Sequence, residues 1–248
     1  MAAAIKLHRH VGRRRAGRFL AEGPNLVEAA LRRNLVLEVF VTEAALDRFG
    51  ALLTDTSVHM VTERAAKALS DTVTPVGLVA VCAIPSTNLT DVLADQPRLV
   101  AVAAEISEPG NAGTLIRIAD AMGADAVVLA GHSVDPYNGK CLRASAGSIF
   151  AVPVVSDIDS GSALSALSAA GLRVLATTVD GETSLDDADL SEPTAWVFGP
   201  ESHGLDPQLA AMATDRVRIP MSGGAESLNV AAAAAICLYE SARVHRGG

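Results

Sequence analysis

Hydrophobic and polar residues follow two alternating patterns along this chain. Short apolar runs recur throughout, and between them apolar residues return every three or four positions. The first pattern is typical of buried strands, and the second is typical of helices that cover a sheet. Strands that alternate with helices predict a parallel sheet with helices on both faces. The predicted fold class is therefore α/β.

A turn-rich segment divides this pattern into two units. Residues 19–84 alternate helix and strand and end in the nearly continuous apolar run VGLVAVCAI. Residues 85–96 begin with the turn-rich segment PSTN, continue with a short helical piece and end at a second break before Pro97, which is typical of a linker. The pattern resumes with LVAVAA and continues to the C-terminus. The sequence thus predicts a basic N-terminal arm at 1–18, a smaller α/β domain, a linker and a larger α/β domain at 97–248.

The C-terminal part of the larger domain has the features of a binding site. One apolar run ends at Gly199 and Pro200, and a second short run ends at Pro220. The loop that follows contains adjacent glycines, which lack a Cβ and let the backbone approach a ligand closely. Ser227 is predicted to cap an Ala-rich helix over residues 228–243. Polar groups on glycine-rich turns at strand ends predict a binding site here.

Composition limits the class of protein. Half of the 248 residues are hydrophobic and 19% are charged, so extensive disorder is excluded. The longest apolar run, 230–238, is shorter than the ~20 residues that cross a bilayer, and residues 1–18 lack the apolar segment of a signal peptide. We expect a cytoplasmic protein without membrane contact. The three cysteines are far apart, which predicts buried thiols and no zinc site.

The charge distribution favours a nucleic acid partner, although the net charge does not. The formal net charge of −8 alone speaks against such a partner. The first eighteen residues, however, carry basic charges and no acidic ones. A basic arm on an acidic body can neutralise phosphates locally, and a solvated tail is the alternative. The predicted phosphate contacts are Arg9, Arg13, Arg14, Arg15 and Arg18.

Several polar residues could carry chemistry, but none is specific alone. Asn111 lies at a predicted helix entrance, where it could be a cap, and Arg117 could be a surface arginine. Glu201 could be a surface carboxylate. His203 has no second His or Cys at metal-ligand spacing. The chain also lacks the GxGxxG, P-loop and GxSxG motifs.

Taken together, three segments resemble a known family. EPGNAGTLIRIADAMGAD, FGPESHGL and IPMSGGAESLNVAAAAA look like motifs one, two and three of the SpoU (TrmH-like) RNA ribose methyltransferases of the SPOUT superfamily. RFLAEGPNLVEAAL and LSDTVTPVGLVAV resemble the substrate-binding domain of many members, which has a ribosomal-protein L30-like fold. YNGKCLRASAGSIFAVPVV is similar to the family's middle segment. The resemblance covers nearly the whole chain, and Pro200 stands where Asn is frequent.

The resemblance implies an enzyme that uses S-adenosylmethionine to methylate a ribose 2′-hydroxyl of RNA. It also implies a deep trefoil knot in the C-terminal domain and a homodimer whose sites are completed across the subunit interface. Since a separate substrate domain is typical of ribosomal RNA modifiers, we expect 23S rRNA as the substrate. A tRNA 2′-O-methyltransferase, or a non-catalytic RNA-binding or ribosome-assembly factor, are the alternatives.

The resemblance assigns residues to these roles as well. The implied catalytic residues are Asn111, Arg117, Glu201, Ser227 and Asn229. The implied cofactor-binding residues are Thr177, Gly199, Ile219, Met221 and Leu228. The RNA is expected to contact Arg143 and Ser145 in addition to the basic arm. Because a guanidinium keeps its proton, we expect Arg117 to stabilise developing alkoxide charge and not to act as a general base.

Overall fold

The computed structural model describes residues 1–54 and 56–247, which form two sheets with their own helices. The N-terminal elements are α1 (Ala2–Ile5), α2 (His10–Ala16), β1 (Arg18–Glu22), α3 (Pro24–Arg32), β2 (Val36–Val41), α4 (Glu43–Phe49), β3 (Val58–Met60), α5 (Glu63–Leu69) and β4 (Leu78–Ala83). The C-terminal elements are α6 (Leu89–Ala94), β5 (Leu99–Ala104), α7 (Pro109–Ala121), β6 (Ala126–Ala130), α8 (Gly139–Ser145), β7 (Val154–Ile158), α9 (Ser160–Ala169), β8 (Arg173–Thr177), β9 (Thr183–Ser184), β10 (Thr194–Phe198), α10 (Pro207–Ala211), β11 (Asp215–Arg218) and α11 (Val230–Gly247).

The larger sheet is parallel throughout. Its strand order is β7-β6-β5-β10-β8-β11-β9, and every neighbouring pair runs in the same direction. The smaller sheet has the order β1-β4-β2-β3, with β4 antiparallel to both of its neighbours and β2 parallel to β3. The α/β class and the parallel sheet predicted from the sequence are confirmed.

The two faces of the parallel sheet carry separate hydrophobic cores. In β5, Leu99, Ala101 and Ala103 pack with residues of α7, α8 and α11, whereas Val100 and Val102 pack with residues of α6 and α9. Successive side chains of a strand point to opposite faces, so an all-apolar strand reflects burial on both. Helices α7 and α11 therefore share one face, where they contact each other.

Two of the candidate catalytic residues, Asn111 and Asn229, lie at the N-terminal ends of α7 and α11. Helix α7 begins at Pro109, a residue suited to the first helical position, and the Glu108 carboxylate accepts a hydrogen bond from a first-turn N–H at 3.4 Å. Asn111 consequently lies in the first turn of the helix. The predicted cap of α11 at Ser227 is wrong. Asn229 lies directly before the helix, and its Oδ1 accepts a hydrogen bond from the backbone N–H of Ala231 at 3.0 Å.

The first sixteen residues are folded, and they correct one predicted RNA contact. Ala4 and Leu7 are buried against the smaller sheet. Arg13 is 3% exposed; its Nε donates to Asp135 Oδ2 at 2.7 Å, and its Nη1 donates to the carbonyl oxygens of Leu7 and His8. The prediction that Arg13 contacts RNA phosphates is therefore wrong, because its guanidinium is buried in an ion pair between the two domains.

The other predicted RNA contacts differ in exposure. Ser145 is fully buried in α8, and its hydroxyl donates to the carbonyl oxygen of Leu142 at 2.8 Å, so the prediction that it touches RNA is wrong. Arg143 is exposed, but it pairs with Asp71 of the N-terminal domain. Helix α8 thus lies at the contact between the domains. The remaining arginines of the predicted RNA set are exposed: Arg9, Arg14, Arg15 and Arg18.

Replacing Arg13 with alanine is expected to lower the free energy of unfolding by about 3 kcal/mol, because it leaves a largely buried carboxylate without its partner. The side chains of Arg13 and Asp135 are 4% and 13% exposed. Urea unfolding measures the difference, with Arg14→Ala on the exposed side of the same helix as the control. Equal loss of stability in the two variants would contradict the inferred ion pair.

The cysteines are buried and form no disulfide, as predicted. Burial raises the pKa of the Cys82 and Cys141 thiols to about 12. Within residues 1–54 and 56–247, no helix is both long and apolar enough to span a bilayer. The same part of the chain holds no group of three or more His, Cys, Asp and Glu side chains placed to bind a metal ion.

Candidate cofactor and active site

The carboxyl ends of three neighbouring strands open into one cavity. Strands β10, β8 and β11 lie side by side, and the segments that follow them line a cavity of about 440 Å³. Small-molecule sites commonly have volumes of about 300–1,000 Å³, and in open α/β sheets they lie outside the carboxyl ends of the strands. The five residues implied to bind the cofactor all line this cavity: Thr177, Gly199, Ile219, Met221 and Leu228.

The turn after β10 forms one wall and requires a glycine. The backbone N–H of Gly204 donates to the carbonyl oxygen of Pro200 at 2.9 Å, and Gly204 has a φ of +71°. A Cβ on Gly199 would lie 2.5 Å from the backbone nitrogen of Leu205 and 2.6 Å from its Cα. Both contacts are with backbone, which cannot rotate away as a flexible side chain can. Glycine at position 199 therefore allows the chain to fold back at the edge of the cavity.

The loop before α11 forms the opposite wall. Among the residues that the structure describes, no backbone–backbone hydrogen bond involves residues 220–228. Backbone N–H and C=O groups require partners, so this loop offers free donors and acceptors to a ligand. Ser227 lines the cavity beside Leu228 and adds a hydroxyl group.

A cluster of hydrogen bonds joins the cavity to α7 and α11. Glu201 Oε1 accepts from Asn111 Nδ2 at 2.7 Å, from the backbone N–H of Val230 at 3.1 Å and from Asn229 Nδ2. Asn229 Nδ2 also lies 3.2 Å from Asn111 Oδ1. The carboxylate sits at the N-terminus of α11, where the helix dipole favours negative charge. Residues from three distant segments, Asn111, Glu201 and Asn229, are therefore held together at one oxygen atom.

Arg117 lies apart from this cluster. It is exposed on α7, and the cavity lining does not include it. It lies six positions after Asn111 in the helix, which corresponds to about 9 Å along the axis. Within residues 1–54 and 56–247, no hydrogen bond or ion pair involves its guanidinium. The structure thus groups four of the five candidate catalytic residues and leaves the arginine outside.

Three ionisable residues of the cavity lining are not among the site residues that were predicted from the sequence. Asp180 follows β8 and pairs with Arg216 at 2.8 Å; the hydrogen bond from this arginine lowers the pKa of Asp180. Glu226 lies in the loop before α11, and His203 lies in the turn after β10. The signal that could have found Asp180 is its position just after a predicted strand, at the edge where parallel strands end.

The chemistry of the lining fits S-adenosylmethionine. Apolar side chains such as Met221 and Leu205 provide a surface for an adenine ring. The ionisable groups besides His203 are carboxylates, and none of the described lining residues is Lys or Arg. Carboxylates and backbone carbonyl oxygens attract a positively charged sulfonium. The cavity therefore suits a cationic cofactor with an apolar ring.

Comparison with known proteins agrees with this geometry. The SpoU rRNA Methylase family matches residues 98–239, and the MRM3-like substrate binding domain matches residues 3–80. The chain is 36% identical over 234 residues to the 23S rRNA (guanosine(2553)-2′-O)-methyltransferase RlmP of Bacillus subtilis (strain 168). That alignment covers 94% of this chain and 92% of the relative.

Solved structures of similar proteins cover both domains. The SpoU methyltransferase AviRb from Streptomyces viridochromogenes, in complex with AdoMet, matches with a TM-score of 0.89 and 30% identity over 99% of this chain and 97% of that one. The AdoMet-bound rRNA methyltransferase from Sinorhizobium meliloti matches with a TM-score of 0.85 and 29% identity, covering 98% of this chain and 93% of that one. The chain therefore belongs to the SpoU rRNA methylase family and carries an MRM3-like substrate-binding domain at its N-terminus.

Proposed function

We propose that this protein transfers the methyl group of S-adenosylmethionine to a ribose 2′-hydroxyl of ribosomal RNA, most specifically 23S rRNA. The observation that carries the proposal is the cavity at the ends of β8, β10 and β11, with the Asn111–Glu201–Asn229 cluster at its edge. The cofactor is bound in two solved relatives of the same fold, and RlmP bears the name of a 23S rRNA 2′-O-methyltransferase.

The cluster and the cavity have distinct roles in the proposed reaction. The cofactor supplies an electrophilic methyl group on a sulfonium. Backbone groups of Gly199, Ile219 and Leu228 hold the cofactor, and the side chains of Asn111 and Glu201 orient the ribose beside it. Methyl transfer is an in-line displacement, so the alignment of the hydroxyl oxygen with the methyl carbon governs the rate. A rigid, mutually bonded cluster provides such alignment.

The N-terminal domain is proposed to bind the RNA. We divide the chain into a basic N-terminal segment at 1–18, which packs on the domain at 19–84 and acts with it, a linker at 85–96 and the methyltransferase domain at 97–248. Phosphate contacts require exposed cations, which the described surface provides on α2, on β1 and on α8. The proposed contacts are Arg9, Arg14, Arg15, Arg18 and Arg143. An enzyme with this substrate acts in the cytoplasm.

A homodimer with a trefoil-knotted C-terminal domain completes the proposal. Helix α11 has a buried side and an exposed apolar side: Ala234 and Leu238 are core, whereas Ile236 and Tyr239 are 37% and 47% exposed. A Cβ on Gly181 would lie 2.7 Å from the backbone of Val217, so the loop after β8 packs directly on β11, its neighbour in the sheet. Helices α7 and α11 share one face of the sheet, and a second copy docked there would cover both.

In such a dimer, Arg117 of one subunit reaches the cavity of the other. We expect Arg117→Ala and Glu201→Ala homodimers to be nearly inactive. A heterodimer of the two variants, purified through two different tags, is expected to recover about half of the wild-type rate because one of its two sites is intact. Methyl transfer to 23S rRNA measures this recovery. A heterodimer as inactive as its parents would place Arg117 in its own subunit's site.

The proposed substrate is tested by methyl transfer in vitro. The purified protein is incubated with labelled S-adenosylmethionine and either 23S rRNA or total tRNA, and the nucleosides are identified by mass spectrometry. We expect a 2′-O-methylribose in 23S rRNA and none in tRNA. Label in tRNA alone would support the tRNA alternative. Failure to bind the cofactor in calorimetry would favour a non-catalytic RNA-binding or ribosome-assembly factor.

A further inference from the structure

The contact between the two domains is part of one continuous hydrophobic core. Phe19 of β1 is fully buried, and the centre of its ring lies 4.8 Å from that of Tyr137 and 5.8 Å from that of Phe150, both in the C-terminal domain. The same core joins residues of β1, β2, β4 and α3 to residues of α7, α8 and α11. Linked domains move relative to each other unless a large hydrophobic interface holds them. A shared core therefore favours a fixed arrangement.

Two ion pairs cross this interface, and both involve α8 or the segment before it. Arg13 Nε and Nη2 each lie 2.7 Å from Asp135 Oδ2, with the two side chains almost wholly buried. Asp135 Oδ1 accepts a hydrogen bond from the backbone N–H of Tyr137 at 2.8 Å, so the carboxylate is held through both oxygens. Arg143 pairs with Asp71 at the exposed edge of the interface. Charge-assisted hydrogen bonds add geometric specificity to an apolar contact.

The interface connects the proposed RNA contacts to the active-site cluster through closely packed helices. On α2, Arg13 lies in the interface, whereas Arg14 is exposed with the other proposed phosphate contacts of this helix. On the other side, α8 packs tightly on α7, because a Cβ on Gly113 would lie 2.3 Å from the carbonyl oxygen of Cys141. Helix α7 carries Asn111 in its first turn. The cations of α2 and the cluster thus belong to one rigid unit.

We propose that Arg13 and Asp135 are positioning residues for the RNA. The N-terminal domain stays docked on the C-terminal domain during the reaction, and this interface, not the linker at 85–96, sets the distance between the cations of α2 and the cavity. The inference rests on the proposed methyl transfer and adds a basis for its specificity. The methylated ribose is the one that lies at this fixed distance from the RNA segment held by the N-terminal domain.

An engineered disulfide between positions 71 and 139 tests whether the domains stay docked. A Cβ on Gly139 would lie 3.0 Å from Asp71 Cγ. In a disulfide, the Cβ of one cysteine lies about 3 Å from the sulfur of the other, so Asp71→Cys/Gly139→Cys fits this geometry without moving the domains. The native cysteines are buried and stay out of the oxidation. We expect the oxidised and reduced forms to methylate 23S rRNA at equal single-turnover rates.

Asp71→Cys alone, which cannot form this cross-link, is the matched control for the oxidation step. A double variant that loses transfer on oxidation and regains it on reduction would overturn the inference, because the domains would then have to separate during the reaction. Wild-type protein without any transfer would instead refute the proposed function itself.

A second pair of variants distinguishes the interface from the linker. Asp135→Asn removes the charge opposite Arg13 but no cation that could bind RNA. We expect its KM for 23S rRNA to rise at least about 10-fold, because a loosened domain lowers the effective concentration of its cations beside the bound RNA. The affinity for S-adenosylmethionine and kcat are expected to stay unchanged. A loss of folded protein alone would lower kcat and leave KM as it is.

Insertion of Gly-Ser-Gly-Ser after the exposed Ser86 lengthens the linker and leaves the interface intact. We expect the wild-type KM for 23S rRNA in this variant, since long insertions in surface loops cost little. A KM that rises with the longer linker, or one that stays at the wild-type value in Asp135→Asn, would contradict the role of the interface.

Discussion

Replacing Glu201 with alanine is expected to lower the rate of methyl transfer by about 10²- to 10³-fold, the range seen when one preorganised polar group of an active site is removed. One oxygen of this carboxylate binds Asn111, Asn229 and the first N–H of α11. Its removal leaves these donors without their shared acceptor and frees both asparagine side chains to rotate. The ribose then loses the groups that align it with the methyl carbon.

The measurement is single-turnover methyl transfer to 23S rRNA at saturating cofactor. Glu192→Ala, an exposed carboxylate of the same domain outside the cavity, serves as the matched control and is expected to retain the wild-type rate. Calorimetry with S-adenosylmethionine shows whether the cavity itself remains intact. A Glu201→Ala variant that transfers methyl groups as fast as Glu192→Ala would show that the cluster does not position the substrate.

Replacing Gly199 with alanine is expected to weaken cofactor binding by about 100-fold, since overpacking a tight site costs up to about 3 kcal/mol. The added Cβ would lie 2.5 Å from the backbone nitrogen of Leu205, so the turn after β10 must open. The opened turn displaces both the backbone of residue 199 and the neighbouring Glu201. Cofactor binding and transfer therefore fall together.

Gly223→Ala provides a matched control in the opposite wall. A Cβ at Gly223 would meet no atom within 4 Å, so the same chemical change is made without a clash. Calorimetry with S-adenosylmethionine on both variants, together with their thermal unfolding, separates local distortion from loss of the fold. Equal cofactor affinity in Gly199→Ala and Gly223→Ala would contradict a role for the turn at 199 in shaping the cavity.

The hydrophobic pattern predicted the large-scale architecture well, for a physical reason, whereas the cofactor-binding set came from the family resemblance and its binding role stays a prediction. Strands such as β5 and β6 are buried on both faces, so their apolar runs have clear ends at 99–104 and 126–130. In a parallel sheet, residues that follow strand ends meet at one edge. Thr177 and Gly199 each follow or end such a strand, and the structure places both in the same cavity.

The predictions that failed depend on contacts between distant segments. Arg13 belongs to a run of basic residues, and nothing local distinguishes it from Arg14. Its burial depends on Asp135, which lies more than a hundred residues away in the other domain. Ser145 is fully buried in α8, where its hydroxyl bonds to the carbonyl oxygen of Leu142. A single sequence without that packing cannot separate exposed cations from buried ones.

The residue that caps α11 illustrates a smaller limit of prediction from the sequence. Ser227 and Asn229 are both good capping residues, and the sequence alone favoured the first. The choice is made by tertiary structure, because Glu201 accepts the first N–H of α11 and holds the side chain of Asn229 beside it. The cap of α11 is thus part of the Asn111–Glu201–Asn229 cluster, and Ser227 is left to line the cavity.

A crystal structure of the protein with bound S-adenosylhomocysteine would be the most direct test of where the cofactor sits. We predict that the adenosine lies between the turn at 199–205 and the loop at 220–228, that its polar atoms bond to the backbone of Gly199, Ile219 and Leu228, and that its sulfur faces Glu201. Density for the ligand anywhere else, or a sulfur atom directed away from Asn111 and Glu201, would contradict methyl transfer at this site.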